Sequence, residues 1–174
     1  MSFHFCTRIR NQSWVNLNPV PRNVNSVELR HWLLDEGSLT KRLKSLGRFS
    51  VEIINTGYGR PFLSEARVLG ISTRQQVYIR EVRLCVNGEA LVKARSIIPR
   101  STLTGPERQL LKLNSKPLGE YLFNHRCMHL GPIEVKQGQV DSSSLWGRRR
   151  VFSINRKPVL VSEFFLPAIQ NHCE

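Results

Sequence analysis

The stretch from Val77 to Ile98, VYIREVRLCVNGEALVKARSII, constrains the fold more than any other. Two strand-like runs flank Asn87-Gly88, and both residues accept the positive φ of a type I′ turn, so the segment reads as a β-hairpin. A strict two-residue loop sets Val86 opposite Glu89, Leu84 opposite Leu91, Val82 opposite Lys93 and Arg80 opposite Arg95. Residues two apart share a face. Tyr78, Arg80, Val82, Leu84 and Val86 then line one side with Leu91, Lys93, Arg95 and Ile97. Neither face is wholly apolar. An arginine inside a core strand needs an anion or dense hydrogen bonding. Arg80 and Arg95 therefore either pair with carboxylates, lie on a solvated face, or hold an anionic ligand.

Upstream, Pro19 and Pro21 break any long element, and residues 1–25 read as a separate, loosely held segment in which Trp14 and Val15 can dock on the domain. The domain proper spans residues 26–174. Ser26 reads as an N-cap for a helix whose apolar stripe is Leu29, Trp32 and Leu33. Ser38 caps again, and Leu39, Leu43 and Leu46 continue the stripe until Gly47 ends it. Phe49 to Asn55 alternates as a strand, Gly57, Gly59 and Pro61 suggest a loop, and Arg60 to Gly70 has no clear pattern. After the hairpin, Thr104-Gly-Pro-Glu107 has the form of a capping box, and a second short helix begins at Lys116-Pro117. Two short helices joined by a turn can build a lid over a pocket, or merely a layer packed on a sheet. A strand over Leu130 to Lys136, a polar loop over Gln137 to Ser144, and two strands over Arg150 to Ile154 and Val159 to Leu166 complete the chain. Strands outweigh short helices, so the fold class is α+β, a single domain with an antiparallel sheet.

Function classes narrow by exclusion. The 174 residues carry a net charge of +13 with pI about 10.5, which favours an anionic partner. The basic residues are dispersed, with Arg148-Arg149-Arg150 the one tight run, and no aromatic-rich RNA-reading motif accompanies them. No specific nucleic-acid partner is therefore expected. Cys6, Cys85, Cys127 and Cys173 are far apart, which suits reduced thiols rather than a disulfide scaffold. His125 and His129 form one i, i+4 pair without further ligands at matching spacing, so no metal is expected. No apolar run reaches membrane-spanning length and the N-terminus lacks a signal-peptide core; a cytoplasmic protein without stable membrane insertion is expected. There is no GxSxG, P-loop or dinucleotide fingerprint.

Glu163 is the second informative residue. It sits among Val159, Val161 and Phe165 in VLVSEFFLP, where a carboxylate must find a donor. It either bridges to an arginine across the sheet, or binds a substrate hydroxyl and takes part in proton transfer.

The segments WLLDEGSLTKRL, YIREVRLCVNGE, ARSIIPRSTLTGPE, KPLGEYLF, LWGRRRVF and KPVLVSEFFLPA run in order from Trp32 into the C-terminal region. Together they resemble the chorismate pyruvate-lyases, which make 4-hydroxybenzoate for ubiquinone biosynthesis. KPLGEYLF and LWGRR are the most specific of them. The resemblance implies an antiparallel sheet with helical flaps over a buried ligand pocket, working without metal or organic cofactor. It also implies chorismate as substrate, with 4-hydroxybenzoate and pyruvate as products; a closed apolar pocket would hold the flat product tightly, so product inhibition is expected, as is a monomer. The family's ligand-binding arginine falls on Arg80 and its hydroxyl-binding carboxylate on Glu163. Two backbone contacts fall on Leu39, where the family also uses methionine, and on Leu118. Chorismate is a dicarboxylate, so a second cation is wanted beside Arg80. Arg95, opposite Arg80 in the strict register, is the expected one. The same fold type is similar to the effector-binding domains of bacterial transcription regulators, which bind without catalysis. Those usually carry a winged helix-turn-helix ahead of the sensor, which residues 1–25 are not expected to supply.

Overall fold

The computed structural model of the chain describes residues 13–17, 21, 24, 26–140 and 143–172. Its strands are β1 (Val15–Asn16), β2 (Phe49–Gly59), β3 (Val77–Val86), β4 (Glu89–Pro99), β5 (Met128–Leu130), β6 (Glu134–Val140), β7 (Ser143–Ile154) and β8 (Lys157–Phe165). The α-helices are α1 (Val27–Leu34), α2 (Leu39–Leu46), α3 (Leu63–Leu69) and α4 (Leu118–Phe123). Two 3₁₀ helices cover Gly105–Lys112 and Pro167–Asn171. The strands form one sheet in the order β1-β6-β7-β8-β4-β3-β2, with β5 on β7 beyond the end of β6, and every pairing is antiparallel.

The turn between β3 and β4 forms as its sequence dictates, with Asn87 at φ 53° and Gly88 at φ 85°. The register beyond it differs from the strict ladder. Val86 pairs with Glu89 and Cys85 with Ala90, but Leu84 pairs with Val92, so Leu91 is a bulge. Its side chain is fully buried and its carbonyl accepts a hydrogen bond from Leu166 N–H. One extra residue exchanges the two faces of β4. Arg80 therefore stands beside Ser96, and Arg95 beside Glu81 on the opposite face. The strict ladder would have set two arginines side by side, which is unfavourable.

Both N-caps of the first helical pair form: the Ser26 hydroxyl accepts from Leu29 N–H and the Ser38 hydroxyl from Lys41 N–H. The capping box at Thr104 does not. That segment is a 3₁₀ helix without a side-chain cap, and buried Glu107 instead meets Lys157 at 2.6 Å and Asn155 at 2.6 Å. The segment is thereby fastened to the β7–β8 turn. Three loop expectations are corrected. Gly57 and Gly59 lie within β2, opposite Ile79 and Val77. The stretch without pattern contains α3. Most of the polar loop over Gln137 to Ser144 is strand, because β6 and β7 pair across it. The β7–β8 turn is only Asn155-Arg156, both at positive φ.

The helices divide between the two faces. On one face, α1 and α2 bury Leu29, Trp32, Leu33, Leu39 and Leu43 against Val82, Leu84, Val92 and Ala94. On the same face, Leu110, Leu113, Leu118 and Leu122 pack over Ile98, Phe152, Val159 and Val161. The other face is covered by α3, with Val68 and Leu69 against Val77, Ile97 and Leu160. At the far edge Val15–Asn16 pairs with β6, and the Trp14 ring lies beside Phe164.

Candidate active site

The two helical layers on the first face do not meet the sheet everywhere. Between them lies a largely apolar cleft of about 700 Å³, part of it open to solvent. Its floor comes from alternate residues of four adjacent strands. Arg80, Ser96, Val161 and Arg150 form one row across β3, β4, β8 and β7, and Val82, Ala94, Glu163 and Arg148 form the next. Its walls are the start of α2 with Leu39 and Thr40, and the start of α4 with Pro117, Leu118 and Gly119. The two walls touch: Lys44 meets Glu120 at 2.9 Å. At Gly119 a Cβ would lie 2.8 Å from the Thr40 hydroxyl oxygen, so this close approach needs glycine.

Arg80 is 3% exposed, and its Nη2 donates to the carbonyls of Asn114 (2.8 Å) and Lys116 (2.9 Å), in the turn that leads into α4. No carboxylate pairs with it among the described residues. Burial lowers its pKa, yet an arginine stays protonated. A charged guanidinium held by two carbonyls, in an apolar cleft, has the charge and donors to take an anion. Glu163 takes the first alternative read from its sequence, a bridge to an arginine across the sheet. Its Oε2 accepts from Arg148 Nε at 2.8 Å, and it also lines the cleft. Arg148 Nη1 donates further to the carbonyls of Trp32 (2.9 Å) and Asp35, tying the α1–α2 layer to the sheet. Leu39 and Leu118 each occupy the first position of a helix, where the N–H has no intrahelical acceptor.

Arg95 is not in the cleft. On the other face its Nε meets Glu65 and its Nη1 meets Glu81, both at 2.7 Å, with all three side chains buried. Burial alone would lower the Arg95 pKa, but the two carboxylates outweigh it and raise it. The bulge at Leu91 is the cause, and nothing in the local pattern signals it. The triple-arginine run alternates. Arg148 and Arg150 face the cleft, whereas Arg149 pairs with Glu134 at 2.7 Å on the other face. The period of a strand, applied to LWGRRRVF, would have placed Arg148 and Arg150 on one side. Among the described residues no group of three or more His, Cys, Asp or Glu can hold a metal ion, and no helix is long and apolar enough to cross a membrane.

The fold is shared with effector domains of transcription regulators. The effector domain of PhnF from Mycobacterium smegmatis superposes with TM-score 0.55 at 13% identity, over 78% of this chain and 91% of that one. A gene product from Staphylococcus aureus gives TM-score 0.56 at 13% identity, over 80% and 92%. Such identities speak for the fold alone. Sequence relatives are far closer. The chain is 39% identical over 142 residues to a chorismate pyruvate-lyase of Salmonella schwarzengrund, covering 80% of this chain and 83% of the relative. It is 37% identical over 155 residues to a protein of Methylococcus capsulatus named as a probable chorismate pyruvate-lyase, covering 81% and 96%. The family model for chorismate lyase matches residues 10–173. The chain therefore belongs to the chorismate lyase family.

Proposed function

We propose that the protein converts chorismate to 4-hydroxybenzoate and pyruvate in the cleft between the two helical layers, as a committed step toward ubiquinone. The observation that carries the reading is the presence of both Arg80 and Glu163 on the floor of one apolar cleft. A flat ring with a carboxylate at one end and a hydroxyl at the other fits between a cation and an acceptor so arranged. Arg80 holds the ring carboxylate through a charge-assisted contact. Glu163 accepts from the C4 hydroxyl through Oε1, which makes no hydrogen bond among the described residues. The backbone N–H groups of Leu39 and Leu118 complete the polar contacts.

In the reaction the C4–H bond breaks and its electron pair enters the ring, while the C3–O bond breaks and the enolpyruvyl group leaves. The ring becomes aromatic, and the released enol becomes pyruvate. Aromatisation supplies the driving force, so the protein has to orient the substrate, exclude water and handle one proton. Glu163 assists the movement of that proton. The apolar walls retain the flat product, which makes product release slow and 4-hydroxybenzoate an inhibitor. Residues 26–174 form the catalytic unit, and the protein works as a cytoplasmic monomer with a small-molecule partner, without metal, cofactor, specific nucleic acid or membrane insertion.

The test is to supply chorismate to the purified protein without added metal and follow both products. Equal amounts of 4-hydroxybenzoate and pyruvate are expected. Arg80→Lys, which keeps the charge but not the fork, lowers kcat/KM by about a hundredfold, in line with one strong charged contact of about 3 kcal/mol. Tight binding of an aromatic acid without turnover would instead mark a sensor-like binding domain.

A further inference from the structure

The dicarboxylate nature of chorismate asks for a second cation, and Arg95 is spent on Glu65 and Glu81. This inference rests on the lyase reading above. With the ring carboxylate at Arg80 and the C4 hydroxyl at Glu163, the enolpyruvyl oxygen on C3 is one carbon away from the hydroxyl. Its carboxylate must then lie beside Glu163, far from Arg80. Two arginines of β7, Arg148 and Arg150, line the cleft on that side. Arg148 is neutralised by the Glu163 carboxylate, to which its Nε donates, and its Nη1 is held by the carbonyls of Trp32 and Asp35. Arg150 is not.

Arg150 pairs with Val161 in the row that holds Arg80, one row from Glu163. It is half-buried and lines the cleft. Its Nε donates to Gly131 O at 3.1 Å and its Nη1 to Glu36 O at a long 3.4 Å. Among the described residues no carboxylate forms an ion pair with it. Three guanidinium groups thus line the cleft with one carboxylate, Glu163, an excess of two cations among the lining residues, while the Glu36 carboxylate acts on Arg150 from outside that lining. That excess matches a dianion. Burial and the neighbouring Arg148 lower the Arg150 pKa, and the Glu36 and Glu163 carboxylates offset this only in part.

We infer that Arg150 is the specificity-determining residue that holds the enolpyruvyl carboxylate of the substrate. The product 4-hydroxybenzoate has no such group, so Arg150 distinguishes substrate from product while Arg80 and Glu163 serve both. Its half-exposed position places the leaving fragment at the open side of the cleft, by which pyruvate departs once the C3–O bond breaks.

The test compares substrate and product on Arg150→Gln and Arg150→Lys in the full chain, with melting temperatures confirming that each is folded. In Arg150→Gln the KM for chorismate rises by about ten- to a hundredfold, the range of one charged hydrogen-bonded contact. The inhibition constant of 4-hydroxybenzoate stays within about twofold on the same argument, and Arg150→Lys recovers part of the loss. A parallel rise of both constants, or no change in KM, overturns the inference. Absence of turnover in the unmodified protein overturns the lyase reading instead. Dissociation constants of chorismate and 4-hydroxybenzoate, measured by calorimetry, then decide the role of Arg150 by the same ratio.

Discussion

Arg80 and Arg95 are the same residue type on adjacent strands, and they end in opposite states. Arg95 is neutralised by two buried carboxylates at 2.7 Å, whereas Arg80 is held by two carbonyls and no carboxylate among the described residues. The first is structural, and the second keeps the charge that the proposed anion-binding role requires, because a carbonyl orients a guanidinium without cancelling its charge. Removing Arg95 leaves Glu65 and Glu81 buried and unpaired. Arg95→Met is therefore expected to cost about 3–5 kcal/mol of stability by denaturant titration. The inhibition constant of 4-hydroxybenzoate on the remaining folded protein should not move. A changed inhibition constant at unchanged stability would return Arg95 to the ligand. The sequence made both arginines visible as anomalies inside strands, but not which of the two faces each would take.

The helical flaps are held by charges at their edges. Glu107 is fully buried, and its bonds from Lys157 and Asn155 fasten the 3₁₀ helix to the β7–β8 turn. Burial pushes the Glu107 carboxyl up, but the bonds from Lys157 and Asn155 outweigh it and hold its pKa below the ordinary value. A carboxylate depressed in the folded state contributes stability that is complete above its unfolded pKa. That stability is lost as the pH falls through the carboxylate range toward the folded value. Denaturant titrations from neutral pH downward should show this acid-side loss, and Glu107→Gln should flatten it while lowering stability at neutral pH by about 2–3 kcal/mol. An unchanged acid slope in that variant would assign the loss to other groups. Thr104-Gly-Pro-Glu107 has the spacing of a capping box, yet the turn across from it offered Glu107 a stronger partner. Local spacing does not reveal a competitor fifty residues away.

At the scale of the whole molecule, the sheet separates two electrostatic environments. On the α3 face Arg95 pairs with Glu65 and Glu81, and Arg149 with Glu134, while buried Lys136 lies beside Arg149. The opposite face keeps its excess cations around a cleft that two flaps cover. A ligand that fits both flaps and floor binds only the folded state, so it stabilises by mass action. With 4-hydroxybenzoate at about a hundred times its dissociation constant the gain is about 2.7 kcal/mol. For a chain of 174 residues this raises the melting temperature by about 5–10 °C, readable by thermal scanning fluorimetry. No shift with 4-hydroxybenzoate would mean that the cleft does not accept the aromatic acid.

The sequence by itself determined the hairpin at Asn87-Gly88, the two Ser-capped helices and the strand that carries Glu163. It also marked Arg80 and Glu163 as the polar residues to be explained. These depend on capping, turn chemistry and alternation, which act over a few residues. Tertiary structure alone decided that Arg95 leaves the cleft and Arg150 enters it, that α3 forms over the far face, and that β6 and β7 extend through a polar stretch. A single bulge, set by Leu91 finding a buried place and its carbonyl finding Leu166, reverses a strand. Such a choice depends on partners distant in the chain, and no pattern within the strand records it.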